Sequence, residues 1–217
     1  MQYICHRVNT IEGLRQVDSR YGTEIDLRDE LQGRIYLCHD PFLKGEDFEE
    51  YLKVYKPHGT LILNIKSERV ELKALELLEK YQVKDYFFLD SSFPMIYLLS
   101  EKGEHNIAQR FSELEPAEGI RRLAGRVGWV WVDCFSYMPL TPELYEEFKA
   151  LGYKLCLVSP ELQGQPEKLV KYAGYLRENH MELDAICTKS YMVEKWAELL
   201  GEQKSLENMK PLSCREG

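Results

Sequence analysis

The chain has 217 residues, 44% of them apolar, enough to bury a full core within one domain. Its net charge of −8 and pI near 5.3 argue against a broad surface for nucleic acid or an anionic membrane, leaving room for a local basic pocket. No apolar run approaches the length of a membrane span, and MQYICHRVNT lacks the basic start and long apolar stretch of a signal peptide, so a cytoplasmic protein without membrane insertion is expected.

Taken in order, short β-prone runs alternate with helical ones. The expected strands are QYICH (2–6), TEIDLR (23–28), LILNIK (61–66), DYFFLD (85–90), NIAQRF (106–111), GWVWVDCF (128–135), KLCLVS (154–159) and DAICTK (184–189). A further short run, RIYLCHD (34–40), follows the second strand through a turn at Gly33. Helical patterns occupy 10–20, 46–56, 68–82, 93–102, 115–124, 141–151, 165–180 and 190–200. Thr141-Pro142-Glu143 is a helix start: a capping hydroxyl, a proline in the first turn, and an acid at the positive end of the dipole. VELKALELLEKY spaces its apolar residues by three and four, as a surface helix covering a sheet does.

Eight strands, each followed by a helix, make the count of a (β/α)8 TIM barrel, an α/β fold, here a single domain over 1–201 with a loose tail at 202–217. A doubly wound open sheet alternates in the same way. The barrel is favoured because no Gly-rich phosphate loop follows the first strand, and because polar residues end nearly all the strands, where barrel enzymes build their sites. Cys5, Cys38, Cys134, Cys156 and Cys187 lie inside strand-like runs with no CxxC pair, so buried, reduced thiols are expected; Cys214 sits in the polar tail.

The chemistry concentrates between His6 and Asp40. His6 and His39 each end an apolar run, and Glu24, Asp26 and Arg28 alternate along the strand between them. Alternate residues of a strand share one face, about 6.5 Å apart, so two carboxylates and a guanidinium point together. That set can share a hard cation and its anionic ligand, which makes phosphodiester cleavage the first hypothesis. Trp129 and Trp131 alternate with Asp133 and are expected as core aromatics. Arg110, Ser159, Glu161 and Lys189 end later strands and are candidates for the same mouth, while His58, His105 and His180 lie in polar loops and receive no role.

HR followed by NT, then EIDLR, then HD after a short hairpin, then an N-I-K run in the third strand, resembles the glycerophosphodiester phosphodiesterase family, a branch of the phospholipase C-like phosphodiesterases. The likeness is densest over 3–66, and the strand count extends it along nearly the whole chain. It implies paired catalytic histidines at His6 and His39, metal-binding carboxylates at Glu24 and Asp26, and phosphate-binding cations at Arg7 and Lys66. Arg28 and Arg110 are further candidates for substrate contact. The departures are specific. HRVNT is contracted where the family carries a longer loop, and the inserted subdomain after the second strand is reduced. The third acidic ligand is replaced by Asn64, whose amide oxygen still suits Mg²⁺ or Ca²⁺ but brings no charge.

The expected reaction is in-line displacement at phosphorus on a small-molecule phosphodiester, with one histidine as base and the other as acid, and a divalent ion on a phosphate oxygen. A degenerate barrel that binds a phosphorylated ligand without turnover is the alternative, against which the retention of both histidines argues. A barrel lyase or isomerase is disfavoured because no Schiff-base lysine stands out, Lys66 lying beside the acids.

Overall fold

The computed structural model describes residues 1–56 and 59–201; the expected tail, Cys214 and His58 lie outside them. Among the described residues, nine strands follow the apolar runs closely: β1 (Gln2–Cys5), β2 (Gly22–Asp29), β3 (Ile35–Leu37), β5 (Leu61–Ile65), β6 (Tyr86–Leu89), β7 (Ala108–Phe111), β8 (Trp129–Val132), β9 (Lys154–Val158) and β10 (Ala185–Thr188); the short β4 (Glu46–Asp47) instead takes the first two residues of the expected helix 46–56. Helices lie between them: α1 (Ile11–Gln16), α2 (Phe48–Val54), α3 (Val70–Lys80), α4 (Phe93–Glu101), α5 (Ala117–Arg122), α6 (Pro142–Ala150), α7 (Leu169–Glu178) and α8 (Val193–Leu200). The cap read at Thr141 forms, its side chain accepting from Leu144 N. Among the described residues, no helix is long and apolar enough to cross a membrane.

The parallel order runs β1–β2–β5–β6 and β7–β8–β9–β10, with β10 returning to β1. A parallel bridge between Phe88 and Ile107, with Phe88 N donating to Asn106 O at 2.8 Å, joins the two halves and closes the barrel. β3 and β4 stand outside this ring as a short antiparallel extension of β2. It occupies the position where the sequence showed a reduced insertion.

Two apolar layers follow from the period-two alternation. One lies between strands and helices and includes Ile25, Leu63, Phe88, Val130 and Leu157. The other fills the barrel, with Ile4, Ile62, Phe87, Trp131, Cys156 and Cys187 among its members. Trp129 stacks on Phe87, so both tryptophans serve the core as expected. Continuing the inward rows by two residues leads from Ile4 to His6, Ile62 to Asn64, Ala108 to Arg110, Trp131 to Asp133 and Cys187 to Lys189. The barrel's alternation therefore places one polar layer directly above an apolar plug. Four of the five described cysteines are buried, and all five are free thiols.

Gly22 opens β2 where β1 and β5 crowd it. A Cβ there would fall well inside contact distance of the Thr60 carbonyl oxygen, with Ile4 against its other side. Gly22→Ala is therefore expected to destabilise the fold by about 1–3 kcal/mol, as overpacking of a rigid core does. Urea unfolding of both proteins measures this, and equal midpoints would show that the strands yield freely.

Candidate active site

The polar residues above the plug are fixed by the sheet itself. His6 N donates to Thr188 O and Lys66 N to Leu27 O, both at 2.9 Å, so each residue sits one step past its strand yet stays in the ladder. Asp133 N is held in the same way by Phe111 O, and Ser159 N by Cys187 O. A side chain carried on such a position has little backbone freedom to lose when it binds.

Glu24 and Asp26 are both fully buried. Arg7, at φ 57°, takes a left-handed turn after His6, and its backbone N–H donates to Glu24 Oε2 at 2.7 Å. Glu24 Oε1 accepts from Asn64 Nδ2 at 2.9 Å. Asn9 clasps Asp26 twice: Nδ2 donates to Oδ2 at 2.7 Å, and Oδ1 accepts from Asp26 N at 2.8 Å. Burial, then the neighbouring Asp26 charge, pushes the Glu24 carboxyl well above its usual range, while Asn64, the Arg7 amide and Lys66 pull it down.

Two buried oxygens here, Asp26 Oδ1 and Asn64 Oδ1, have no hydrogen-bond partner. Asp26 and Asn64 are register partners across β2 and β5, so both oxygens belong to one neighbourhood. Lys66 Nζ stands 3.7 Å from Asp26 Oδ1, beyond hydrogen-bonding distance, and 3.3 Å from Asp90 Oδ2. Hard oxygen donors with excess negative charge fit a divalent cation of the Mg²⁺ or Ca²⁺ type. The set is nonetheless lean: among the described residues, no group of three or more His, Cys, Asp or Glu comes together as a metal cluster.

The histidines occupy different environments. His6 is 16% exposed; its Nε2 lies 3.8 Å from Glu24 Oε2 and its Nδ1 lies 3.1 Å from Lys189 Nζ. Burial, then the charges of Lys189, Arg7, His39 and Lys66, drives its pKa down to about 3, so it is neutral at pH 7. His39 is 37% exposed, with Nδ1 2.7 Å from Asp40 Oδ1.

The remaining cations divide. Arg7 is exposed at the rim. Arg28, expected to clamp an anionic ligand, instead gives Nη1 to Lys66 O at 3.2 Å and Nη2 to His39 O at 2.7 Å, tying the β3 segment to β5. Arg110 was likewise expected at the substrate. Its guanidinium is engaged by Asp90 through Nε at 2.5 Å and Nη2 at 2.9 Å, and by Asp133 through Nη1. Gln163 completes this second cluster by donating to Asp133 Oδ1 at 2.8 Å. Asn9, Asp40 and Asp90 were given no role from sequence. Asp40 and Asp90 directly follow a histidine or a strand end, a signal that was present, while Asn9 is a loop residue whose partner only the fold supplies.

The closed barrel with a polar mouth is the architecture on which the comparison with known proteins rests. No family model matches the chain, and no curated protein matches it. Solved structures do. A glycerophosphodiester phosphodiesterase from Thermotoga maritima superposes with a TM-score of 0.67 at 18% identity, over 89% of this chain and 96% of that one. A glycerophosphodiester phosphodiesterase from Agrobacterium tumefaciens gives 0.67 at 13%, over 92% and 99%. A glycerophosphoryl diester phosphodiesterase from Parabacteroides distasonis gives 0.59 at 15%, over 100% and 89%. The chain has the TIM-barrel fold of these proteins, at identities far below those of close relatives.

The second cluster yields a pH prediction. Burial raises the Asp133 carboxyl from 3.8 to about 6, despite the Arg110 charge that lowers it. A carboxyl whose folded pKa exceeds its unfolded one binds more protons when folded, so its contribution to stability falls as pH rises from 3.8 to about 6 and then levels. The stability of Asp133→Asn relative to the parent should therefore improve across that window. Denaturation at stepped pH measures it, and a constant difference would show that Asp133 keeps an ordinary pKa.

Proposed function

We propose that the chain is a metal-assisted phosphodiester hydrolase of the glycerophosphodiesterase type, acting on small-molecule phosphodiesters. One observation carries this reading: His6 stands 3.8 Å from a buried carboxylate oxygen beside two unpartnered buried oxygens, Asp26 Oδ1 and Asn64 Oδ1, and Arg28 ties the His39 backbone to the end of the neighbouring strand. Anion binding alone needs cations and backbone donors, and it gives no reason to bury an acid pair beside histidines. Glu24, Asp26 and Asn64 would hold the ion. Bound there, it would neutralise charge on a non-bridging phosphate oxygen.

The chain's own residues supply the rest. Arg7 and Lys66 carry the donors for the remaining phosphate oxygens. His6 and His39 divide the proton transfers, one taking a proton from the attacking hydroxyl and the other giving one to the departing oxygen. Arg28 holds the His39 backbone at the mouth through the carbonyl it binds. Arg110 serves as frame, its donors already taken by carboxylates. The free thiols fit a reducing compartment, in keeping with a cytoplasmic enzyme.

A coupled-phosphatase screen over glycerophosphodiesters, lysophospholipids and nucleotide-linked glycerol compounds, with and without Mg²⁺, Ca²⁺ and Mn²⁺, tests the activity. His6→Ala and His39→Ala should each lower turnover on the best substrate by about 10²-fold or more while leaving the fold intact. Near-full activity in either variant would remove that histidine from the mechanism. Full turnover in exhaustively chelated protein would sink the assignment of the carboxylates.

Asn64 yields a separate expectation. A neutral third donor leaves resting metal affinity low, and an anionic substrate phosphate raises it, so metal and substrate should bind with positive and reciprocal coupling. Asn64→Glu should tighten metal binding without substrate and reduce that coupling, read by calorimetric titration with and without a slow substrate analogue. Unchanged affinity in Asn64→Glu, with loss in Glu24→Gln, would show that Asn64 is not a ligand.

A further inference from the structure

Closure of the barrel brings onto His6 a cation that the family resemblance does not assign. Lys189 follows β10 directly, and β10 pairs with β1, so Lys189 Nζ and His6 Nδ1 lie 3.1 Å apart across 183 residues of sequence. An ammonium has donors and no acceptor, so Nδ1 must accept at this contact. A neutral imidazole accepting at Nδ1 carries its proton on Nε2. Nε2 is the nitrogen turned toward the carboxylates, 3.8 Å from Glu24 Oε2. His39 is arranged the other way. Its Nδ1 faces Asp40 Oδ1 at 2.7 Å, and an ionised carboxylate only accepts, so Nδ1 carries a proton and the neutral ring would have its free nitrogen at Nε2.

Lys189 is itself held in place. Its backbone N–H donates to Glu161 Oε1 at 3.2 Å, and Thr188 Oγ1 donates to the same oxygen at 2.5 Å. The other Glu161 oxygen takes the Ser159 hydroxyl, whose oxygen accepts from the buried Trp196 Nε1 at 2.7 Å. This chain of contacts runs from the buried Trp196 to the backbone of Lys189.

We propose that Lys189 is a positioning residue that sets the tautomer of His6, making His6 the proton donor to the departing oxygen and leaving His39 as the base; this rests on the hydrolase reading above. The steps balance. The attacking oxygen bonds to phosphorus as its proton passes to His39 Nε2. The P–O bond to the leaving group breaks with its electron pair on that oxygen, which takes the Nε2 proton of His6. Nδ1 of His6 takes a proton from Lys189; the resulting amine then recovers that proton from Nδ1 as solvent reprotonates Nε2, and solvent deprotonates His39.

Lys189→Met and Lys189→Arg test this by two independent readouts. Long-range ¹H–¹⁵N spectra, with His6→Gln for assignment, should show the Nε2–H form of His6 in the parent and in Lys189→Arg, and a shifted tautomer balance in Lys189→Met. Turnover of glycerophosphocholine, whose leaving group is an alkoxide, should fall about tenfold or more in Lys189→Met, as loss of acid assistance implies. Turnover of bis-p-nitrophenyl phosphate, whose leaving group needs no proton, should change by less than about twofold. An unaltered His6 tautomer in Lys189→Met, or equal losses on both diesters, overturns the proposal. A parent protein inactive on both would defeat the hydrolase reading instead, and the spectra would still decide the role of Lys189.

Discussion

Two carboxylates on alternate positions of one buried strand set the terms for everything around them. At about 6.5 Å in surroundings of effective dielectric near 20, their repulsion is on the order of 2–3 kcal/mol, before either is charged for leaving water. The chain answers with neutral donors: the Arg7 amide and Asn64 for Glu24, and Asn9 for Asp26. The left-handed turn at Arg7 belongs to this answer, because it aims a backbone N–H inward at a position where no glycine eases the conformation. Neutral dipoles spread the charge without cancelling it, and one oxygen of Asp26 is left with no donor at all. That uncompensated oxygen is the feature on which the proposed cation site rests.

The same mouth holds a contrasting solution. Asp90 and Asp133 are also drawn in at strand ends, yet Arg110 lies between them and satisfies both. Although burial pushes the Asp90 carboxyl up, the Arg110 bonds and charge, with help from Lys66, bring it below its usual range. A planar guanidinium with several donors is suited to bridging two carboxylates, where an ammonium is a point charge. The mouth is thus divided: the part formed by β6, β7 and β8 is neutralised internally, and the part formed by β1, β2, β5 and β10 keeps donors and acceptors unspent.

How much of this was legible in the sequence follows from the range of each contact. The eight barrel strands were readable because apolar runs of four or five residues mark them, and their helices because caps and three-and-four spacing do. His6, Glu24, Asp26, Asn64 and Lys66 were readable as one group because β1, β2 and β5 are neighbours and alternation fixes the inward face. The roles of Arg28 and Arg110 were not. Arg28 binds a carbonyl of the segment that folds back after β3, and Arg110 meets Asp90 and Asp133 only because β6, β7 and β8 lie side by side. An arginine at a strand end reads the same whether it is free or already paired. Lys189 and His6 stand at opposite ends of the chain, and only closure of the barrel joins them.

Closure also explains why two histidines that look equivalent in sequence are not equivalent in the fold. His6 extends a ring strand, so its ring sits above the plug between β10 and β2, with cations pressing from several sides. His39 comes from the β3 segment outside the ring and enters from the rim, where Asp40 travels with it and water reaches its ring. One is neutral by burial and by the company it keeps; the other is oriented by a carboxylate on its own backbone neighbour. In the proposed reaction an acid and a base would work on opposite sides of one phosphorus and need unlike surroundings, which a single barrel strand could not provide. Carrying one histidine on the ring and the other on a short appended hairpin supplies that difference within the first forty residues, before the rest of the barrel adds its support.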